Sequence, residues 1–276
     1  MKLKNQTSHF LIAILSVSMI LMGTSCDKEP TEEAPELPPV SSILMDYSDF
    51  GQAPAGMKST APSSTNFYHA FTSVTFWQWI ATVPLAVPVT AYAIALEQEA
   101  EYIGNNTWEW SYDVTVNSID YKVSLTASRQ NNEEFTVDMS LNLKDLPGKG
   151  VTWFDGLARY DRTHAAWNLY KVEGLEKVKI LDIDWTHNYE TEAGNMTYNY
   201  VEPGHQEEGS SIYMEWLTPE SAAYDAKYAI SVSTGDIDVE WNRTTKAGRV
   251  MDPVYFEDEL WHCWDETLVD VDCSAE

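Results

Sequence analysis

Over residues 107–117 the chain alternates at every position. Trp108, Trp110, Tyr112, Val114 and Val116 fall on one side, and Glu109, Ser111, Asp113, Thr115 and Asn117 on the other. A period of two predicts a β-strand with one buried and one wetted face. The pattern recurs at Tyr121, Val123, Leu125 and Ala127, and again at Phe135, Val137, Met139, Leu141 and Leu143, with polar partners between. Polar joints at 117–120 and 129–134 read as turns. Further strands are predicted over 151–160, 165–172, 178–186, 195–201, 211–217, 227–233 and 237–242, punctuated by Pro147-Gly148, Pro203-Gly204 and Thr234-Gly235. About ten strands, each greasy on one face only, belong to an antiparallel sheet rather than to a parallel one buried on both sides. Short connections favour an up-and-down meander.

The greasy faces need a cover. Residues 70–96 contain no charged side chain, which by length alone makes a membrane-spanning candidate. Gln78, several threonines and the pair Pro84 and Pro88 oppose that reading, because each proline deprives a helix of a hydrogen bond. The segment reads instead as a kinked helix, or a pair of helices, buried on nearly every side by the rest of the domain. Glu97, Glu99 and Glu101 return the chain to water. The expectation is therefore a mainly β fold: an antiparallel meander, open or closed like a barrel, wrapped around an N-terminal apolar helical segment. Residues 65–276 form one domain, with a buried plug at 65–103 and the meander at 104–276. A lipocalin-like or lipoprotein-carrier-like half-barrel is the nearest architecture by analogy of fold.

Composition narrows the partners. Of 276 residues 44% are hydrophobic, enough for a packed core, and the formal charge is −26. So acidic a chain repels nucleic acid and anionic lipid heads and attracts divalent cations or basic partners.

The N-terminus carries the most specific signal. Lys2 and Lys4 precede an apolar run from Phe10 to Met22, and Gly23-Thr24-Ser25 supplies small residues before Cys26. This resembles a bacterial lipobox, although Gly23 stands where a leucine is usual. The resemblance implies a leader at 1–25 and lipidation of Cys26. An ordinary secretory leader with a coincidental cysteine is the alternative. Residues 27–39, DKEPTEEAPELPP, lack apolar periodicity and read as a tether, continued by a Ser-, Pro- and Gly-rich lead-in to residue 64. The acidic stretch directly after the cysteine is similar to the export signal of Bacteroidota-type surface lipoproteins. The resemblance implies an outer-membrane anchor facing the exterior, and 104–273 is loosely similar to the same group. Asp27 is an inner-membrane retention residue under the enterobacterial rule. No activity comes with the likeness.

Candidate chemistry is sparse. Eleven Trp and 15 Tyr recur along the strands. Trp108, Trp110, Tyr112, Trp153, Trp167, Trp185 and Trp241 are candidate ligand-facing aromatics, for stacking on a glycan or lining a cavity for an apolar ligand or lipid. Filling the space between a curved sheet and a helix is the plainer use of the same rings. Asp182 and Asp184, and Asp236, Asp238 and Glu240, place carboxylates side by side on strand faces. A Ca²⁺ site or a glycosidase pair would use them, but solvated faces that discourage aggregation explain them more simply. Cys263 and Cys273 predict a disulfide in an oxidising compartment, with a metal site at Cys263 and His262 as the sharper reading. Trp261 and Trp264 flank it like a hydrophobic clasp. Arg243, Lys246 and Arg249 form a basic cluster that either pairs with nearby carboxylates or binds an anion. His164, His187, His205 and His262 show no ligand spacing, and no nucleophile or phosphate motif is present. The sequence thus predicts no cofactor or metal and a non-enzymatic, lipid-anchored binding protein, with a structural or adhesive surface role, aided by Ca²⁺, as the alternative and a glycan hydrolase less favoured.

Overall fold

A computed structural model describes residues 33–50, 64–116, 118–143, 151–173, 176–218 and 223–273. The leader at 1–25, Cys26, the start of the tether, residues 51–63 and the Pro147-Gly148 turn lie outside them. The chain divides into two units, Met1–Glu33 and Ala34–Glu276, and every element below belongs to the second.

A helix, α1 (Thr65–Ala95), precedes fourteen strands. They are Glu101–Gly104 (β1), Thr107–Val116 (β2), Ile119–Arg129 (β3), Glu134–Leu143 (β4), Val151–Arg159 (β5), His164–Glu173 (β6) and Glu176–Asn188 (β7). Ala193–Tyr200 (β8), Ser211–Trp216 (β9), Ala226–Val232 (β10), Gly235–Trp241 (β11), Gly248–Met251 (β12), His262–Trp264 (β13) and Asp270–Val271 (β14) follow, with a short helix α2 (Pro253–Phe256) between β12 and β13. All strands belong to one antiparallel sheet whose spatial order equals the chain order. The ten strands read from alternation are β2 to β11. The very short β1, β12, β13 and β14 extend the sheet beyond them. β1 and β14 do not pair, so the meander stays open.

The alternation works as the pattern requires. Val123, Leu125, Ala127, Phe135, Val137, Met139, Trp167, Ile183, Tyr198, Ile212, Tyr228 and Val239 are buried on one face, and the intervening polar residues take the other. Both ends of the sheet meet α1. Its start lies against β12, β13 and β14, and Ala91 and Tyr92 near its end meet β2, β5 and β6. Phe67, Ala70, Val74 and Trp77 in the first arm, and Leu85, Ala91, Tyr92 and Ala95 in the second, are each at most 2% exposed. The arms, Thr65–Ile80 and Val83–Ala95, meet at a 61° bend. Pro84 explains its place: it lacks the N–H that would bond the carbonyl of Ile80, and its ring crowds that carbonyl. No single helix among the described residues is long and apolar enough to cross a membrane.

Caps from the far end of the chain fix the start of α1. The N–H groups of Thr65 and Asn66 donate to the two carboxylate oxygens of Asp270, each at 3.0 Å, and Asn66 Nδ2 donates to the carbonyl of Cys263 at 2.9 Å. A carboxylate there satisfies orphan donors and faces the positive end of the helix dipole. Cys263 and Cys273 form the expected disulfide, which closes the β13–β14 hairpin that carries Asp270.

Two sequence expectations are corrected. The helix is not buried on nearly every side, because it packs on the sheet through one side only and leaves Phe76, Trp79 and Val83 at its bend exposed. Residues 34–50 are irregular apart from two single 3₁₀ turns, Val40–Ser42 and Ser48–Phe50, yet they are not a tether: Leu37, Ile43, Met45, Tyr47 and Phe50 are buried in the same core. Buried irregular backbone needs hydrogen-bond partners. The polar tips of aromatic residues supply them. Tyr92 Oη donates to the carbonyl of Pro38 (2.8 Å) and Trp167 Nε1 to that of Ser42 (2.9 Å), while Tyr198 Oη donates to Ile43 (2.8 Å) and accepts from the N–H of Met45 (2.6 Å). The segment is a strap pegged between helix and sheet.

Candidate functional site

The candidate aromatics do not line an open bowl. Trp108, Trp110, Trp167, Trp185 and Trp241 are between 1% and 4% exposed, and Tyr112 and Trp153 pack partly buried against the same core. Tyr112 Oη donates to the carbonyl of Ala91 on α1, so the wall of 107–117 meets the plug as expected. Trp241 is enclosed by Phe50 of the strap at 4.9 Å and Tyr228 at 4.8 Å between ring centroids. Strap and helix together consume the aromatic face. A smaller recess of about 180 Å³ remains where the strap crosses β8 and β9, walled by Leu44, Met45, Met196, Met214 and Trp216 with Arg243 at its rim.

A larger concavity, of about 660 Å³, lies on the opposite, polar face over β4 to β8. Register builds it. Asp138, Asp155, Asn168, Asp182 and Asn199 are successive cross-strand partners, so they form one row across five strands. The adjacent row is Thr136, Leu157, Ala166 and Asp184. Backbone and short side chains at Gly156 and Ala166, with Leu157, give the recess an apolar floor beside its row of acids and amides.

Its polar groups hold one another. Asp155 accepts from Asn168 Nδ2 at 2.7 Å and from Tyr170 Oη at 2.9 Å, and Lys177 Nζ lies 3.8 Å away. Lys179 Nζ meets Asp182 Oδ1 at 2.7 Å, and His164 Nε2 meets Asp184 Oδ2 at 3.1 Å. Thr152 Oγ1 donates to Asp138 at 3.4 Å. Burial, then the neighbouring charge of Asp155, raises the Asp138 carboxyl above its ordinary value of 3.8. Burial and the bond to Asp155 push Tyr170 up to about 12. The carboxylates keep free lone pairs in a frame set by their neighbours, which suits acceptance of hydroxyl protons.

Other sequence candidates resolve individually. Asp182 and Asp184 belong to the recess, whereas Asp236 accepts from Ser231, and Glu240 meets Arg249 at 2.6 Å. The metal reading of Cys263 with His262 is overturned, because the cysteine sulfur is in the disulfide. His262 instead meets Asp258 at 3.1 Å and stacks on Phe256. Among the described residues no group of three His, Cys, Asp or Glu side chains could hold a metal ion. The basic cluster pairs inward. Arg243 meets the buried Asp225, and Arg249 lies over the rings of Tyr224 and Trp261 at 4.7 and 4.3 Å. Trp264 is buried beside the disulfide, as a clasp would be, and Trp261 covers Arg249. His205 Nδ1 accepts from the N–H of Glu207, and His187 sits against Trp185 and Tyr189.

Tyr170 belongs to the aromatics that recur along the strands, whereas Asp138, Asp155, Asn168 and Asn199 carry no signal of their own in the sequence. Each looks like an ordinary solvent-facing strand residue until pairing aligns it. Hairpin centres fix that register, so counting outward from successive turns was the available signal. No protein-family model, curated protein or solved structure matches the chain.

Proposed function

We propose that the chain is a non-enzymatic envelope protein, anchored to the outer membrane through lipid on Cys26, which binds a neutral hydroxyl-rich ligand of the glycan class on the polar face of its sheet. The observation that carries the reading is the recess over β4–β8, where an acid and amide row flanks an apolar floor. A sugar ring has matching chemistry, with hydroxyls at its rim and C–H groups on its faces. Preset side chains lower the ordering cost of binding. The chain's charge of −26 disfavours anionic ligands, which leaves neutral saccharides as the better fit. An apolar ligand carried between helix and sheet has less support, because the strap and α1 occupy that face.

Calorimetric titration with neutral gluco-, xylo- and manno-oligosaccharides tests the ligand class. Saturable binding is expected, weakened about tenfold or more in Asp155→Ala, as follows from losing a hydrogen bond to a charged acceptor worth about 1.5–3 kcal/mol. No binding to any of them, or binding indifferent to Asp155→Ala and Asn168→Ala, overturns the proposal. Mass spectrometry of the mature N-terminus tests the anchor, with an acylated Cys26 expected and an unmodified or earlier start refuting it.

A further inference from the structure

Apolar residues run all round α1, so a helix packed on one side must show grease on the other. At the bend it does. Phe76 is 45% exposed, Trp79 68% and Val83 63%. His69, seven residues before Phe76 and so on the same helix face, is covered by the ring of Tyr255 at 3.7 Å, and Tyr255 is itself 51% exposed. The exposed Thr72 separates that stacked pair from the bend, so the apolar patch is the bend itself. No charged side chain interrupts residues 70–96. Three large apolar side chains exposed at one bend, beside the uncharged Gln78, mark an interaction surface, and tryptophan with a polar neighbour suits a membrane–water interface.

The chain preceding the strap argues for the occupant. Ala34 lies in the same recess as Ala95, Leu96 and Ala100, at the end of the second helical arm. Val83–Ala95 measures about 20 Å at 1.5 Å per residue. Cys26 precedes Ala34 by eight positions, which extended chain spans in about 27 Å. The chain from Cys26 is therefore long enough to let the bend meet the bilayer that takes the lipid. We propose that the bend of α1 inserts Phe76, Trp79 and Val83 into the interfacial layer of that bilayer, a second contact that fixes the orientation of the tethered domain. The proposal rests on the lipid-anchor reading. The recess on the polar face belongs to the other side of the sheet from α1, so seating the helix bend leaves it open to solvent.

The experiment uses the full chain, processed in a lipidating bacterial host and reconstituted into phosphatidylcholine vesicles with and without dibrominated acyl chains. Flotation reads the anchor, and bromolipid quenching of tryptophan reads the bend. The native protein is expected to float and to be quenched. Trp79→Phe and the doubly substituted Phe76→Ser/Val83→Ser protein should float equally but lose at least about half of the quenching. These side chains are exposed, so the substitutions leave the fold intact, which an unchanged melting temperature confirms. Flotation with quenching that is absent, or indifferent to Trp79→Phe, overturns the bend contact and leaves the anchor standing. Failure to float overturns both. Self-association in lipid-free buffer that depends on Trp79 assigns the face to a second copy and also overturns the proposal.

Discussion

Gly156 offers a direct test of how the sheet bends tightly enough to close its aromatic face. It pairs with Trp167 in register, and the arrangement repeats at Gly194 with Trp216 and at Gly248 with Trp264. At each site a β-carbon added to the glycine would sit less than 3.0 Å from the tryptophan ring and from a backbone carbonyl. The glycine lets the ring lie flat across the neighbouring strand, and Trp167 can then reach the carbonyl of Ser42 on the strap. For Gly156→Ala, restriction of the unfolded chain contributes about 0.4–1 kcal/mol in favour of the variant. Overpacking costs about 1–3 kcal/mol where a side chain can yield. Here the carbonyl of Ala166 cannot yield without loosening the ladder, so the cost lies at the upper end and the net loss is about 2 kcal/mol. In a domain of this size that lowers the melting temperature by about 4–8 °C. Thermal and urea denaturation read it, with Gly204→Ala as a control: that residue has a φ of 74° but open space around its would-be methyl, so only the backbone term remains. In a Trp167→Ala background the Gly156→Ala cost should shrink, since one of its two obstacles is gone. A Gly156→Ala protein as stable as the native one, or costs that simply add, would show that the glycine makes no room for the ring.

Further consequences can be measured in the same way. Asp225 is 1% exposed and accepts from the N–H of Arg243 at 2.7 Å and from its Nε at 3.3 Å, so Asp225→Ala leaves a cation half-buried without its counter-charge. A loss of about 3 kcal/mol by urea denaturation is expected, and a loss below about 1 kcal/mol would show that water replaces the carboxylate. The disulfide joins residues ten apart, which in the loop-entropy account is worth about 3 kcal/mol. Reduction should lower the melting temperature by about 6–12 °C, and an unchanged melt of protein shown to be reduced contradicts this. Asp270→Ala should cost about 1 kcal/mol through the lost cap on α1, and should cost little more once the bridge that presents Asp270 is reduced. Asp138 has its carboxyl raised by burial and by Asp155, so the folded chain holds this proton more tightly than the unfolded chain. Its contribution to stability therefore falls as pH rises from the ordinary 3.8 through the raised value. Asp138→Asn should be neutral at pH 3 and stabilising at pH 7, and the opposite order of melting temperatures refutes the assignment.

What could be read in the chain and what could not divide along a physical line. Strands β2 to β11 declare themselves because each holds at least three pairs of alternating positions, so local composition reports a global burial. The uncharged run to Leu96 declares a helix because its length and its prolines are local properties too. The strap does not. Residues 33–39 are acidic and proline-rich, and the apolar Ile43, Leu44, Met45, Tyr47 and Phe50 that follow keep no period of a helix or strand that would announce a buried element. Their hydrogen-bond partners are Tyr92, Trp167 and Tyr198, up to 155 residues away. The recess is hidden for the same reason. Asp138 and Asp155 become neighbours only through pairing, and Asn168, Asp182 and Asn199 join the row through three further registers.

The strap also alters what the aromatic residues mean. A sheet so rich in tryptophan and tyrosine invites a ligand-binding interpretation, yet the polar tips of Trp167 and Tyr198 are spent on backbone of the same chain. Residues 34–50 occupy the place that an apolar ligand would take, and they do so covalently. Removing the tips without the rings separates the two roles. Tyr198→Phe keeps the packing but leaves the carbonyl of Ile43 and the N–H of Met45 without their partner in a dry core. Unsatisfied buried groups cost about 1–3 kcal/mol each, so this single oxygen is worth about 2–6 kcal/mol, more than many core methyl groups. Hydrogen exchange locates the damage: if the strap is pegged as described, amides of 40–47 lose protection first while those of β3 and β4 keep theirs. Uniform loss across the sheet would instead make Tyr198 an ordinary core residue, and the strap a passenger rather than the filling of the fold.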